Sequence, residues 1–186
     1  MKRSARVVTV FGSSRPREGD PHYADAQALG AALAAEGFTV CTGGYAGVME
    51  AVSRGAKEAG GRTIGVTAQH FKSRANRWVD EEIRVKSWQD RLFELIKRGH
   101  GYVACPGGTG TLVELAVVWE MVNKGVMTGK PFVVLGDFWQ PVIDRVCEVE
   151  TRHASTWRES TDSLIHAATS ADGAAAYLAG RLTRAR

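Results

Sequence analysis

Tyr102-Val103-Ala104-Cys105-Pro106-Gly107-Gly108-Thr109-Gly110-Thr111-Leu112-Val113-Glu114 passes from one apolar segment to another through a proline and a cluster of glycines. Tyr102–Cys105 reads as a short buried strand and Thr111–Lys124 as a helix. A strand feeding a helix through a glycine turn is half of a βαβ unit. The same succession recurs on both sides. Toward the N-terminus, strand Val7–Phe11 ends at Gly12-Ser13-Ser14, and helix His22–Glu36 stops at Gly37. Strand Phe38–Thr42 runs into Gly43-Gly44, helix Gly47–Ala59 closes at Gly60-Gly61, and Arg62–Thr67 forms a third strand. Ala68–Asp80 is polar, reads as an irregular mobile loop, and precedes a short strand, Ile83–Val85. Helix Trp88–Lys97, with Leu92, Leu95 and Ile96 as its buried stripe, leads back to the quoted stretch. Beyond it come strand Pro131–Leu135, helix Trp139–Glu150, strand Ser163–Ala168 and helix Gly173–Leu182. Strands alternating with helices predict an α/β protein, a doubly wound parallel sheet with helices on both faces. Neither a linker nor a repeat divides the chain, so residues 1–186 are expected to form a single domain.

Composition supports a folded chain. Of 186 residues, 44% are hydrophobic and 24% charged, the balance of an ordinary globular protein. That excludes disordered, collagen-like and disulfide-scaffold classes. The net charge is +4, and the basic groups Lys2-Arg3, Lys97-Arg98 and Arg181, Arg184, Arg186 form no continuous stripe. A nucleic-acid partner is therefore not expected. Cys41 and Cys105 lie in apolar runs, and with Cys147 they form no CxxC. They read as buried thiols in a reducing cytoplasm. No window approaches the ~18 apolar residues of a membrane span, and the N-terminal apolar run is too short for a signal peptide. His22, His70, His100, His153 and His166 have no ligand spacing with the cysteines. Neither a metal nor another cofactor is expected.

In an open parallel sheet, ligands bind beyond the carboxyl ends of the strands. Three such ends carry small residues here: Gly12-Ser13-Ser14, Gly43-Gly44 and Pro106-Gly107-Gly108-Thr109-Gly110-Thr111. The last has neither GxGxxG spacing nor the lysine of a P-loop. Its physics is nonetheless that of an anion cradle. Glycines admit an oxyanion close to the main chain, the first N–H groups of the helix are unpaired, and the dipole favours negative charge. Thr109 and Thr111 add hydroxyls, and a phosphate seat is the reading these residues favour; the plainer one is a βα turn with Thr111 as N-cap.

Glu114 shares a helix face with Thr111 and lies roughly 6 Å of helix rise beyond Gly110. A ribose 5-phosphate seated on the turn would bring its anomeric carbon near this carboxylate. The helix dipole would keep a first-turn carboxylate ionised. Such a group can stabilise an oxocarbenium-like centre or activate water. Thr-x-x-Glu spacing equally describes a capping box, and spacing alone favours that reading.

Thr42-Gly43-Gly44-Tyr45-Ala46-Gly47-Val48-Met49-Glu50-Ala51 together with Pro106–Glu114 resembles the LOG family of nucleoside 5′-monophosphate phosphoribohydrolases, known for cytokinin activation. The resemblance spans roughly residues 7 to 145. It implies a Rossmann-like fold, typically homodimeric. It also implies hydrolysis of AMP or an N6-modified AMP, a nucleoside 5′-monophosphate substrate, to free base and ribose 5-phosphate. It casts Glu114 and Arg91 as the catalytic pair. Gly107, Gly108, Thr109, Gly110 and Thr111 would hold the phosphate, with Ser13, Ser14, Gly43 and Gly44 completing the pocket. Leu92 stands where many members have lysine, Glu50 replaces a small residue near the pocket, and Glu120 replaces a threonine of plant-type members. These departures bear on base specificity. They also admit an alternative, a non-catalytic carrier of a nucleotide or of a phosphorylated cofactor such as the molybdenum cofactor. The lysine decarboxylase label that some members carry finds no lysine in a suitable motif.

Around this site, Trp78 and Trp88 flank the polar loop and could cover a base, whereas Trp139 and Trp157 are expected to pack. Glu82 is either a sugar contact or a solvated loop carboxylate. Leu112–Val122 is apolar on nearly all sides, so full burial is expected. In a chain this short, burial of that helix suggests a homodimer packed partly through it; the alternative is a buried core helix in a monomer.

Overall fold

The computed structural model describes residues 6–152 and 164–184; Lys2, Arg3, His153, Trp157, Ser163 and Arg186 lie outside them. In chain order the elements are β1 (Val7–Phe11), α1 (Pro21–Ala35), β2 (Thr39–Thr42), α2 (Val48–Glu58), β3 (Thr63–Ala68), β4 (Glu81–Val85) and α3 (Trp88–Arg98). They continue with β5 (Gly101–Ala104), α4 (Thr109–Asn123), β6 (Phe132–Leu135), α5 (Gln140–Arg152), β7 (Ile165–Ala168) and α6 (Ala171–Arg184). The strands form one sheet in the order β4-β3-β2-β1-β5-β6-β7. Every neighbouring pair is parallel. The chain winds outward from β1 to β4, then returns to place β5 on the other side of β1. This reversal opens a crevice at the carboxyl ends of β1 and β5, the place where such sheets bind ligands. The amide of Ser13 donates to Pro106 O across it at 3.2 Å.

Burial explains which strands were easy to recognise. β2, β3, β5 and β6 are buried at every position, as strands covered on both faces must be. One core joins the sheet to α1, α2 and α6 through Leu29, Leu33, Val52 and Leu178. A second core joins it to α3, α4 and α5 through Leu95, Leu115, Trp119 and Ile143. The doubly wound, Rossmann-like α/β architecture is thus present. β4 is an edge strand whose residues alternate in exposure, and it extends two residues further toward the N-terminus than its short apolar signal implied.

Two details differ from the sequence reading, and a third bears on assembly. Helix α4 begins at Thr109, with Gly108 rather than Thr111 at the N-cap. Residues 68–80 are not a free loop. Ala68 completes β3, Gln69–Phe71 forms a 3₁₀ turn, and the Asn76 amide donates to Gly44 O at 2.7 Å. Finally, α4 buries only one face within the chain: Thr111, Leu115, Val118 and Trp119 point inward, while Leu112 and Ala116 are exposed. The near-uniform apolarity of the helix thus leaves a second apolar face uncovered in the single chain. No helix among the described residues is long and apolar enough to cross a membrane.

Helices α1 and α2 pack with their backbones almost touching. A Cβ at Gly30 would overlap Val52 O, and one at Gly55 would overlap Gln27 O. Gly55→Ala forces the helices apart, which outweighs its gain in helix propensity. It is expected to cost about 1–3 kcal/mol. A urea denaturation midpoint equal to that of the parent would contradict this packing.

Candidate active site

A cleft of about 1310 Å³ opens at the carboxyl ends of β1, β2 and β5. Its wall includes Ser13, Ser14, Gly43, Arg91, Gly107, Gly108, Thr109, Gly110, Thr111 and Glu114, so the topology gathers nearly every residue singled out from sequence. Gly44 is the exception. It has φ of +76°, and its carbonyl accepts hydrogen bonds from the main chain and side chain of Asn76. Its part is to turn the chain rather than to face the cleft.

The turn before α4 has the features of an anion seat. Gly108 is extended, no side chain caps the helix, and Gly108, Thr109 and Gly110 are exposed. The first amides of α4 therefore face solvent beside a positive helix end. Thr111 is buried and packs against Gly107, where a Cβ would overlap its Oγ1. Of the two threonines, Thr109 is the exposed one. Ser13 Oγ accepts from the Arg15 amide at 3.1 Å, and its carbonyl accepts from the Val48 amide at 2.8 Å. The serine turn is thereby bound to the start of α2.

Arg91 extends from α3 into the cleft floor and is only 8% exposed. Its Nε donates to Val66 O at 2.8 Å, and Nη2 approaches Met49 Sδ at 3.6 Å. A Cβ on Gly43 would overlap Nη2, so the second strand end must be glycine for the guanidinium to fit. Arg91 Nη1 stands 3.9 Å from Glu114 Oε1. The guanidinium carbon lies 5.3 Å from the Tyr45 ring centroid and 6.0 Å from that of Phe71.

Glu114 occupies the second turn of α4, because the helix starts two residues earlier than its threonine signal suggested. That removes it from both capping-box and first-turn dipole positions. Its environment is apolar instead. Burial pushes its carboxyl up to about 7, with the Arg91 charge opposing the rise. Burial likewise lowers the Arg91 pKa, with Glu114 opposing the fall. Each group is thus drawn toward neutrality by desolvation and toward charge by the other. A carboxyl that titrates near neutrality in a cleft is suited to proton transfer or to stabilising a cationic centre.

Other sequence candidates divide. Glu50 lies on the cleft wall. Glu120 pairs with Lys124 on the far side of α4. Glu82 accepts from Thr67 Oγ1 at 2.6 Å and from the Ala75 amide at 3.2 Å, so it ties down the 68–80 segment instead of meeting a sugar. Trp88 reaches the cleft mouth, but Trp78 packs between Arg54 and Arg77 away from it. Trp139 packs as expected, its indole donating to Cys105 O at 2.9 Å. Cys41 and Cys105 are buried, and desolvation raises each thiol to about 12. Tyr45, Met49 and Phe71 surround Arg91 without having been given a role from sequence. Tyr45 and Met49 lie in the stretch that carries the family resemblance, and Phe71 is an isolated large apolar residue in a polar segment.

Fold and cleft together define an α/β protein with an uncapped, exposed helix tip above a buried arginine–glutamate pair. The chain belongs to the SLOG cluster4 family (LDcluster4), a LOG-like family that it matches over residues 5–170. It is 39% identical over 137 residues to the cytokinin riboside 5′-monophosphate phosphoribohydrolase of Mycobacterium marinum, covering 72% of this chain and 71% of that one. Among solved structures, it is similar to the molybdenum cofactor binding protein of Rippkaea orientalis, with a TM-score of 0.77, 24% identity and coverage of 97% and 99% of the two chains. It is also similar to the molybdenum cofactor carrier protein of Chlamydomonas reinhardtii, with a TM-score of 0.71, 25% identity and coverage of 97% and 100%.

The elevated Glu114 pKa has a consequence for stability. A carboxyl whose folded-state pKa lies above its unfolded value stabilises the fold most at low pH, and that contribution fades as pH rises. Between pH 4.5 and about 7, the parent should therefore lose stability relative to Glu114→Gln. Thermal midpoints of the two proteins across this range check it. A difference that stays constant with pH would contradict the burial of an ionisable Glu114.

Proposed function

We propose that this protein hydrolyses the N-glycosidic bond of a nucleoside 5′-monophosphate, AMP or an N6-modified relative, releasing free base and ribose 5-phosphate. The observation that carries the proposal is the buried Arg91–Glu114 pair, at 3.9 Å, behind an uncapped glycine turn. In this reading the amides and Thr109 of the 107–111 turn bind the phosphate dianion. Ser13, Ser14 and Gly43 shape the wall beside the sugar. Glu114 faces the anomeric carbon, where its carboxylate stabilises positive charge as the base departs and accepts a proton from the attacking water. Arg91 keeps a share of the Glu114 population ionised near neutral pH and orients the carboxylate. The phosphoribohydrolase named among its relatives supports this assignment. The net reaction consumes one water and needs no further cofactor.

Release of base from AMP, followed by chromatography, tests the proposal. Glu114→Gln and Arg91→Ala should each slow release by about 10²–10⁴-fold, the range for loss of a positioned acid–base group. Variants that release base as fast as the parent would overturn the assignment.

A specific observation favours a second reading. Leu92, at the position of a family lysine, is buried in the core beneath α3, and it contributes no charge to the cleft. Structures similar to this one include proteins named for molybdenum cofactor binding and carriage. A carrier would return AMP intact while still retaining a phosphorylated ligand, so the same chromatogram separates the two readings. The nucleotide substrate and the buried, unmodified thiols Cys41 and Cys105 fit a cytoplasmic setting.

The uncovered face of α4 supports a homodimer as part of the same proposal. Leu112, Ala116, Val142 and Val146 line an apolar groove between α4 and α5, and its walls are exposed in the single chain. A second copy burying this groove would satisfy the apolar character of α4. Light scattering at micromolar concentration should give a dimeric mass for the parent and a monomeric mass for Val146→Glu. A monomeric parent would contradict the dimer.

A further inference from the structure

The rings of Tyr45 and Phe71 form a corner around the Arg91 guanidinium. Their centroids lie 5.6 Å apart with an interplanar angle of 82°. The guanidinium carbon is 5.3 Å from the first and 6.0 Å from the second. We propose that Tyr45, assisted by Phe71, is a positioning residue that holds Arg91 against Glu114. This rests on the reading of Glu114 as the reacting carboxylate.

Arg91 meets mostly uncharged groups. Its Nε and Nη2 meet a carbonyl and a thioether, and neither carries a formal charge. Glu114 is its ion-pair partner, yet at 3.9 Å that contact is long for a tight, hydrogen-bonded pair. A buried guanidinium in this position would gain from swinging into the open cleft. The negative faces of two aromatic rings oppose that movement.

Tyr45 itself cannot drift. Its hydroxyl accepts from the Ala68 amide at 2.9 Å and donates to Ala68 O at 3.3 Å. Its carbonyl accepts from Asn76 Nδ2 at 2.9 Å. The ring is thus pinned at both ends, to β3 and to the segment that carries Phe71. Gly43, two residues earlier, leaves the space into which the guanidinium fits.

Glu114 reports where Arg91 sits. If the guanidinium leaves, the carboxyl loses the positive charge that holds its pKa down. The other ionisable groups on the cleft wall are Arg15, Asp20, His22, Glu50 and Arg74, with the Cys41 thiol close to Arg91. Substitutions of the rings leave all of these in place, so a change in Glu114 titration reads the position of Arg91.

The test is a carbon-13 carboxyl NMR titration of the full chain, with the Glu114 signal assigned by its absence in Glu114→Gln. Tyr45→Leu keeps apolar bulk but removes the ring, and should raise the Glu114 midpoint by about one unit. Tyr45→Phe keeps the ring but loses its hydroxyl anchor to Ala68, and should move the midpoint less than Tyr45→Leu does. Phe71→Leu, at an exposed site that tolerates change, should give a smaller rise. A Tyr45→Leu midpoint equal to the parent's, or a Tyr45→Phe shift as large as that of Tyr45→Leu, overturns the proposal. Should Tyr45→Leu fail to fold, Phe71→Leu and Tyr45→Phe decide: an unmoved Phe71→Leu midpoint overturns it. The titration uses no substrate. If the parent released no base from AMP while Tyr45→Leu still moved Glu114, hydrolysis would be refuted and the aromatic corner would stand. If base release occurs, its acid limb should move with the titration.

Discussion

The cleft depends on bringing a guanidinium and a carboxyl out of water together. Arg91 and Glu114 come from helices on the same face of the sheet, and both are largely buried. Neither would be stable there alone, because an unpaired buried charge costs several kcal/mol. Burial raises the glutamate to about 7 while the Arg91 charge opposes the rise, which leaves the carboxyl poised between acid and base forms. The surrounding structure serves this arrangement. Gly43 follows β2 and leaves room for the guanidinium, β3 supplies a carbonyl to its Nε, and α2 presents Met49.

The helix tip and the pair divide the work of the site. The 107–111 turn offers main-chain donors whose attraction for a dianion depends on backbone geometry alone. Under the proposed reading it would accept a phosphorylated sugar through its phosphate, with little regard to the rest of the molecule. What happens next depends on the side chains a turn deeper. The fold is shared with proteins named for molybdenum cofactor binding, and a shared fold does not by itself set the chemistry, which rests on the groups at the site.

The extent to which the sequence disclosed this arrangement follows the range of each interaction. Strands buried on both faces announce themselves as apolar runs, so β1, β2, β3, β5 and β6 were legible. β4 was half-legible because its alternate residues meet solvent. The glycine turns were legible because close backbone approach leaves a local signature. The start of α4 was misplaced by two residues, since threonine resembles an N-cap while Gly108 serves as one. That small error changed the physics of Glu114, from a dipole-stabilised carboxylate to a desolvated one. Arg91 was legible only through family resemblance. Its burial is built by Gly43, Met49, Val66 and Tyr45, which lie far from it in the chain, and no local pattern around Trp88–Lys97 encodes them. The apolar outward face of α4 was legible as a surface needing cover, but periodicity reports apolarity and not what covers it.

The central claim is geometric, and one measurement meets it directly: the crystal structure of Glu114→Gln with AMP bound. The account predicts the phosphate on the amides of the 107–111 turn, with the anomeric carbon facing residue 114 and Arg91 still beneath it. A phosphate bound elsewhere, or a sugar turned away from residue 114, would contradict it.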